Sequence, residues 1–149
     1  MHIEKEPPPG LGVPEISCSF ASTSEKKTQT REYILEYLLK QNIISEKDIF
    51  WCRLVMDEAM VNAIIHGNSS DPDKHVTVRI FTNRNEFTIY VSDEGNGFQD
   101  SDVPSSEDGD ALSREHGRGV ELIHHYMDKV VYYSGGAVCI MTRHMDTKE

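Results

Sequence analysis

The sequence predicts one α+β domain, in which a largely antiparallel sheet of about five strands is covered on one face by three main helices. Three observations support this fold. The 149 residues are 38% hydrophobic, which suits a single core. Short segments of alternating apolar and polar residues occur in two pairs, each joined by a turn. Longer segments with helical periodicity stand before and between these pairs, so we predict a two-layer α/β sandwich.

The chain begins with a proline-rich stretch. Residues 1–15 include Pro7-Pro8-Pro9 and are expected to form a flexible leader, because consecutive prolines exclude a helix or a central strand. A single domain is expected to fill residues 16–149. Alternation over residues 16–20 predicts its first strand. The following Ser22-Thr23-Ser24-Glu25 has capping-box spacing and predicts the start of the first helix.

The second helix, predicted over about residues 46–66, carries the most informative pattern. It is apolar on two sides, as buried helices are, and Ile65 belongs to this apolar surface. Glu58 and Asn62 are four residues apart, hence on one face, and they interrupt the apolar stripe. A carboxylate placed there needs a partner or a function. Gly67 is expected to end the helix in the left-handed conformation.

Two hairpins supply the remaining strands. The first joins residues 76–80 to 87–91, and the second joins residues 130–133 to 137–141. Between the hairpins, residues 98–116 are polar and acidic and show no periodicity. A loop of this length inside a compact domain is typically a functional lid or a disordered segment. The third helix is predicted to follow this loop.

Composition and charge argue against several classes of protein. The formal net charge is −10, so the concentrated basic face of a nucleic-acid binder is not expected. No apolar run reaches the ~18 residues of a membrane helix, and the first thirty residues lack a signal peptide, which predicts a cytoplasmic protein. Cys18, Cys52 and Cys139 are widely spaced without a CxxC pair, which favours free thiols over disulfides or a zinc site.

Two of three chemistry-bearing segments offer oxygen ligands, namely residues 57–68 (DEAMVNAIIHGN) and 93–98 (DEGNGF). Glu58 and Asn62 place a carboxylate and an amide oxygen on one helix face, a pairing that suits Mg²⁺. A structural hydrogen-bonded pair would give the same pattern. Asp93, with Gly95 and Gly97, is a carboxylate on a turn that a ligand can approach closely, and it could accept from a purine amine. An ordinary turn is the alternative.

The third segment, residues 116–120 (HGRGV), precedes a helix. Gly117 and Gly119 could present free backbone N–H groups to phosphate, with charge added by Arg118 or by Arg114 in the lid. A plain glycine-containing loop is the alternative. The sequence lacks both the G-x-x-x-x-G-K-[ST] motif and the signatures of eukaryotic-type kinases, so those nucleotide-binding classes are disfavoured.

In combination, the three segments have the order of the N, G1 and G2 boxes of the GHKL ATPase superfamily, which the chain resembles over roughly residues 16–143. Residues 57–68 and 117–123 (GRGVELI) closely resemble the boxes of bacterial anti-sigma-factor serine kinases of the RsbW and SpoIIAB type. The short length also matches, because histidine kinases normally carry an upstream dimerisation helix pair. The resemblance implies the ATP-binding fold of histidine kinases.

The resemblance also implies a role for each site residue. Asn62 would coordinate the Mg²⁺ that bridges the ATP phosphates, Glu58 would act as general base, and Asp93 would accept from the adenine amino group. Residues 98–116 would form the ATP lid. The remaining residues would shape the adenine pocket (Gly95, Gly97), bring N–H groups to the phosphates (Gly117, Gly119), or stabilise transferred charge (Arg118, Arg114).

The implied function is partner switching. The kinase would phosphorylate a serine or threonine of an anti-anti-sigma protein of the STAS type, would sequester a sigma factor, and by family likeness would form a homodimer. Two alternatives stay open. One is a non-catalytic partner-binding regulator with a vestigial nucleotide site, since Ala137 stands near a position where many members carry Thr and the lid is acidic. The other is a histidine-kinase-type ATPase domain, which passes phosphate to water or to a histidine.

Overall fold

The computed structural model describes residues 3–4, 10–95, 121–133 and 137–145, and shows six strands in one sheet. The strand order is β1-β5-β6-β4-β3-β2, with β1 parallel to β5 and every other neighbouring pair antiparallel. The strands are β1 (Ile3–Glu4), β2 (Ile16–Ala21), β3 (His75–Asn83), β4 (Glu86–Ser92), β5 (Lys129–Tyr133) and β6 (Val138–His144). The predicted α+β sandwich is confirmed.

The helices all pack on one face of this sheet. They are α1 (Ser24–Lys40), a short 3₁₀ turn (Glu46–Asp48), α2 (Ile49–Asn62), a π-helical turn (Ala63–Gly67) and the described part of α3 (residues 121–126). Apolar side chains of α1 and α2 form one core with alternate residues of the central strands, for example Leu38, Met56, Met60, Val78 and Ile89, each at most 1% exposed. The sandwich therefore buries the second helix, as its two-sided apolar pattern predicts.

A smaller apolar cluster lies on the other face of the sheet. Val131, Tyr133, Val138 and Ile140 are buried there, and the half-buried Leu11 packs against them. β1 and β2 are at opposite edges of the sheet, so the chain passes from one edge to the other between Glu4 and Ile16. The two-residue β1 is an edge strand. Residues 1–2 and 5–9 lie outside the described residues, and the flexibility of the leader stays a prediction.

Two predicted helix ends differ from the structure. The N-cap of α1 is Thr23, whose hydroxyl accepts from the Lys26 N–H at 3.2 Å. Ser22 does not cap the helix, because its hydroxyl is buried and donates to the Lys74 carbonyl. The second helix does not continue as an α-helix to residue 66, because it changes to a π turn after Asn62. A π turn spans one extra residue per hydrogen bond, which rotates the following side chains. Ile65 is accordingly 43% exposed, and its predicted burial is wrong.

Candidate functional site

The end of the second helix carries the first part of the site. Glu58 and Asn62 are half-buried on the last two turns of α2, and the π turn begins directly after Asn62. The Asn68 N–H donates to the Ala63 carbonyl at 2.9 Å and closes this turn. π turns are frequent at functional sites. Within the part of the chain that the structure describes, the Asn62 side-chain amide makes no hydrogen bond, so its oxygen is available to a ligand.

Asp93 lies on the turn that follows β4. Its N–H donates to the Ala137 carbonyl at 2.9 Å, and its Oδ1 accepts from the Gly95 N–H at 2.9 Å. Burial raises the pKa of the Asp93 carboxyl from 3.8 to about 6, against the opposing effects of the Gly95 N–H and of the Lys74 charge. The carboxylate is therefore partly dehydrated and able to form a strong hydrogen bond with a donor.

Two glycines let the helix end and the Asp93 turn touch. A Cβ atom at Gly67 would overlap the Asp93 carboxylate, and a Cβ atom at Gly95 would overlap the Gly67 carbonyl group. Neither glycine has a positive φ, so both are needed for space rather than for backbone conformation. The prediction that Gly67 ends the helix in the left-handed conformation is wrong. Its actual position packs the helix of Glu58 and Asn62 against Asp93.

Asn68 is a site residue to which the sequence pattern assigned no role. It is 0% exposed, and its side-chain amide makes three hydrogen bonds. Nδ2 donates to Ser22 Oγ at 2.8 Å and to the His75 carbonyl at 3.0 Å, and Oδ1 accepts from the Glu94 N–H at 2.8 Å. The sequence feature that could have identified Asn68 is its position as a polar residue directly after the glycine at the end of a buried helix.

The other predicted site residues lie outside the described residues. They are the lid, residues 98–116, together with Gly97, Arg114, Gly117, Arg118 and Gly119. Their roles stay predictions. The helix expected after the Gly-x-Gly motif is present as α3, and Ile123 and Met127 at its end are 1% and 4% exposed.

Two cavities flank β4 at its opposite ends. One of about 370 Å³ is bordered by Asp93 and Glu94, together with short polar side chains of β2, β3 and β4. The other, of about 620 Å³, lies at the β3–β4 turn, where Arg143 stacks 4.4 Å from the ring centroid of Trp51. No residue of the three sequence motifs lines the larger cavity. The size of a cavity therefore does not identify the candidate functional site in this protein.

The three cysteines are free thiols, as predicted. Burial raises the pKa of the Cys52 and Cys139 thiols to about 12 in each case, so neither is a reactive thiolate. Among the described residues, no group of three or more His, Cys, Asp or Glu side chains is arranged to hold a metal ion. In the same part of the chain, none of the helices has the length and apolar character that crossing a bilayer requires.

Comparison with known proteins agrees with this geometry. The family described as "Histidine kinase-like ATPase domain" matches residues 20–143. The anti-sigma F factor of Oceanobacillus iheyensis is 28% identical over 137 residues, which cover 88% of this chain and 92% of the relative. The anti-sigma F factor of Geobacillus stearothermophilus is 26% identical over 123 residues, covering 80% and 83%.

A second kind of relative carries a different name. The serine-protein kinase RsbW of Listeria monocytogenes is 30% identical over 105 residues, which cover 65% of this chain and 66% of that protein. The family match spans most of the described fold, including Glu58, Asn62, Asp93 and Gly95. The chain belongs to the family of histidine kinase-like ATPase domains.

Proposed function

We propose that the protein is an ATP-dependent serine/threonine kinase that regulates a sigma factor by partner switching. One structural observation carries the proposal: Gly67 and Gly95 pack the Asp93 turn against the end of the helix that holds Glu58 and Asn62. This packing supports the proposal that Asp93 contacts the adenine and that the helix of Glu58 and Asn62 serves the phosphates of the same nucleotide. The ATPase family and the names of the relatives, anti-sigma F factor and serine-protein kinase RsbW, support the same activity.

Asp93 is the proposed adenine contact. Its carboxylate is partly dehydrated, and near neutral pH it is ionised, because the pKa of about 6 lies below that range. An ionised oxygen in such a place forms a stronger hydrogen bond with an amine donor than one in water does. Gly95, and Gly97 beyond the described residues, would leave room for the base. Discrimination for adenine over guanine follows, because guanine presents a carbonyl where adenine presents its amine.

Asn62 and Glu58 are the residues proposed to act at the phosphates of ATP. The Asn62 amide oxygen fits Mg²⁺, which prefers hard oxygen ligands and keeps most of its waters. Mg²⁺ would neutralise charge on the ATP phosphates. Glu58, one helical turn earlier, is the proposed general base that takes the proton of the acceptor hydroxyl. Phosphoryl transfer depends mainly on positioning and electrostatics, so these groups suffice together with phosphate contacts from the glycine-rich motif.

Arg114, Gly117, Arg118 and Gly119 complete the proposed site. The two glycines would donate backbone N–H groups to the phosphates, and one of the arginines would balance charge on the transferred group. Residues 98–116 would close over the nucleotide as a lid. The acceptor is proposed to be a serine or threonine of a STAS-type anti-anti-sigma protein. The kinase, proposed as a homodimer, would hold a sigma factor in the cytoplasm, where transcription takes place.

The test is transfer of labelled γ-phosphate from Mg²⁺-ATP to a panel of purified STAS-type proteins. Glu58→Gln, which keeps the size of the side chain and removes its basicity, should lower transfer by about 10²- to 10⁴-fold. The affinity for ATP should stay within about threefold, since the base contacts the acceptor. An acid-stable product identifies a phosphoserine or phosphothreonine ester. Failure of every acceptor to take up label, or an acid-labile product, contradicts the proposal.

One observation favours a second function, a non-catalytic regulator. The Ala137 carbonyl accepts from the Asp93 N–H, so Ala137 neighbours the proposed adenine contact in the chain fold, and its side chain has no hydroxyl to offer a ligand. If the nucleotide is dispensable, a sigma-factor complex should form equally well without ATP and should be unchanged in the Glu58→Gln variant. Dependence of that complex on ATP, or on Glu58, excludes this alternative.

A further inference from the structure

We propose that Asn68 is a positioning residue, which holds the turn that presents Asp93 and thereby sets the affinity for nucleotide without touching the nucleotide. The inference rests on the proposed function, because it assigns a second residue to the same adenine site. Its evidence is the set of hydrogen bonds around the Asn68 amide, and these involve four separate segments of the chain. They are the end of the π turn after α2, the residue before the N-cap of α1, the start of β3 and the turn after β4.

Both polar atoms of the Asn68 side chain are hydrogen-bonded. The amide has two N–H donors and one carbonyl acceptor, and each has a partner at 3.0 Å or less. The orientation of the amide is fixed by chemistry, since the His75 carbonyl can only accept and the Glu94 N–H can only donate. The Glu94 carboxylate also accepts from the His75 N–H, which closes a ring of three residues. A buried amide with these partners is held in one position.

This ring acts on Asp93 through the backbone. The N–H of Asp93 is bonded to the Ala137 carbonyl, and the next N–H along the chain, that of Glu94, is bonded to Asn68. Both peptide groups that flank the Asp93 side chain are therefore anchored, one to Ala137, which directly precedes β6, and one to Asn68. Gly67, which lies against the Asp93 carboxylate, directly precedes Asn68 in the chain. A substitution of Asn68 should therefore shift both the Asp93 turn and Gly67, which packs against it.

Asn68 could act by stabilising the fold as a whole or by positioning the Asp93 turn. A substitution at Ser22, which belongs to the same hydrogen-bond network, is the matched control that separates these two effects. Ser22 is also buried, at 4% exposure, and its hydroxyl donates to the Lys74 carbonyl at 2.8 Å while accepting from Asn68. Ser22→Ala removes hydrogen bonds from the same network and leaves the bond between Asn68 and Glu94 in place. Asn68→Ala removes that bond. Both variants should unfold at a lower temperature than the wild type.

The experiment compares the affinity of the wild type, Asn68→Ala and Ser22→Ala for Mg²⁺-ATP by calorimetry. We expect Asn68→Ala to raise Kd by about 10- to 100-fold, as is typical when a supporting residue behind a ligand contact is lost. Ser22→Ala should stay within about twofold. NMR titration of the Asp93 carboxyl adds a readout that general destabilisation does not move. The pKa should fall toward 3.8 in Asn68→Ala, because the freed turn gains water, and should stay near 6 in Ser22→Ala.

Equal changes of Kd in the two variants, or wild-type affinity in a folded Asn68→Ala variant, would overturn the inference while leaving the proposed function intact. Absence of ATP binding by the wild type would overturn both. If Asn68→Ala does not fold, hydrogen exchange in the wild type decides the question. The Glu94 amide should exchange about a hundredfold or more slowly than in an unfolded chain. Exchange at the unfolded rate would show that Asn68 does not hold the turn.

Discussion

Protonation of Asp93 should weaken nucleotide binding at mildly acidic pH. The carboxyl has a pKa of about 6, and its ionised form accepts a stronger hydrogen bond from the adenine amine than its neutral form, which presents an O–H donor as well. One pH unit below a pKa about one-tenth of a carboxyl is ionised, whereas well above it nearly all is. The dissociation constant for an adenine ligand should therefore rise by up to about tenfold between pH 7.5 and pH 5.0. A carboxyl of ordinary pKa would give almost no change over this range.

The assay uses adenosine, which has no phosphate group that titrates between these pH values, and follows binding by NMR chemical shifts. The same spectra report the carboxyl carbon of Asp93. Because binding favours the ionised form, saturating adenosine should lower the pKa of Asp93. A pKa near 3.8 in the free protein, or one that adenosine does not move, would refute the assignment of Asp93 as the adenine contact.

Asp93→Asn provides the matched variant. Its amide oxygen can still accept from the Gly95 N–H, so the turn keeps its internal hydrogen bond. Since the folded pKa of Asp93 is raised, the ionised carboxylate opposes folding above about pH 6, and the free variant should melt at a higher temperature there. Mg²⁺-ATP at 100 times its Kd should stabilise the wild type by ~2.7 kcal/mol, and the variant should lose this gain. A variant that keeps the full ATP-induced shift would contradict the role of Asp93.

Three further predictions concern Gly67 and Ala137 beside Asp93, and Glu32 in a surface ion pair. Gly67→Ala should destabilise the fold by about 1–3 kcal/mol through overlap with the Asp93 carboxylate, and by less in an Asp93→Gly background; additive unfolding free energies would contradict this. Ala137→Thr should lower the Kd for ATP by about two- to tenfold if its hydroxyl gains one hydrogen bond at the adenine site, which calorimetry would measure. The pKa of Glu32 is lowered to about 2, chiefly by its hydrogen bond with Arg53. This pair stabilises the fold above about pH 4.5 and loses that effect as pH falls toward 2, so melting temperatures of Glu32→Gln should depend less on pH in that range.

Patterns among residues close in sequence were sufficient to predict most of the fold. Alternation in β3 and β4 predicted both the strands and the face they bury, because residues two apart on a strand share a side. The motif order predicted that the second helix and the Asp93 turn form one site, and the structure packs them together. These signals are carried by residues close in sequence.

The differences come from contacts between distant segments. Gly67 lacks a side chain because Asp93, 26 residues later, occupies that space, and no local pattern distinguishes this from a glycine that ends a helix. The Asn68 N–H donates to the Ala63 carbonyl of the π turn after Asn62, and the Asn68 side chain is fixed by Ser22, His75 and Glu94. Helical periodicity assumes an unbroken α-helix and so placed Ile65 in the core.

The short strand β1 has a consequence for self-association. β5 would otherwise be an edge strand, and unpaired edges are templates for pairing with other chains. β1 covers part of that edge, while Leu11 covers part of the apolar cluster of Val131, Tyr133, Val138 and Ile140 on the adjoining face. A shortened chain that begins at Ile16 would uncover both at once. We therefore expect the N-terminal segment to protect the protein from aggregation, and a chain shortened to begin at Ile16 to be less soluble.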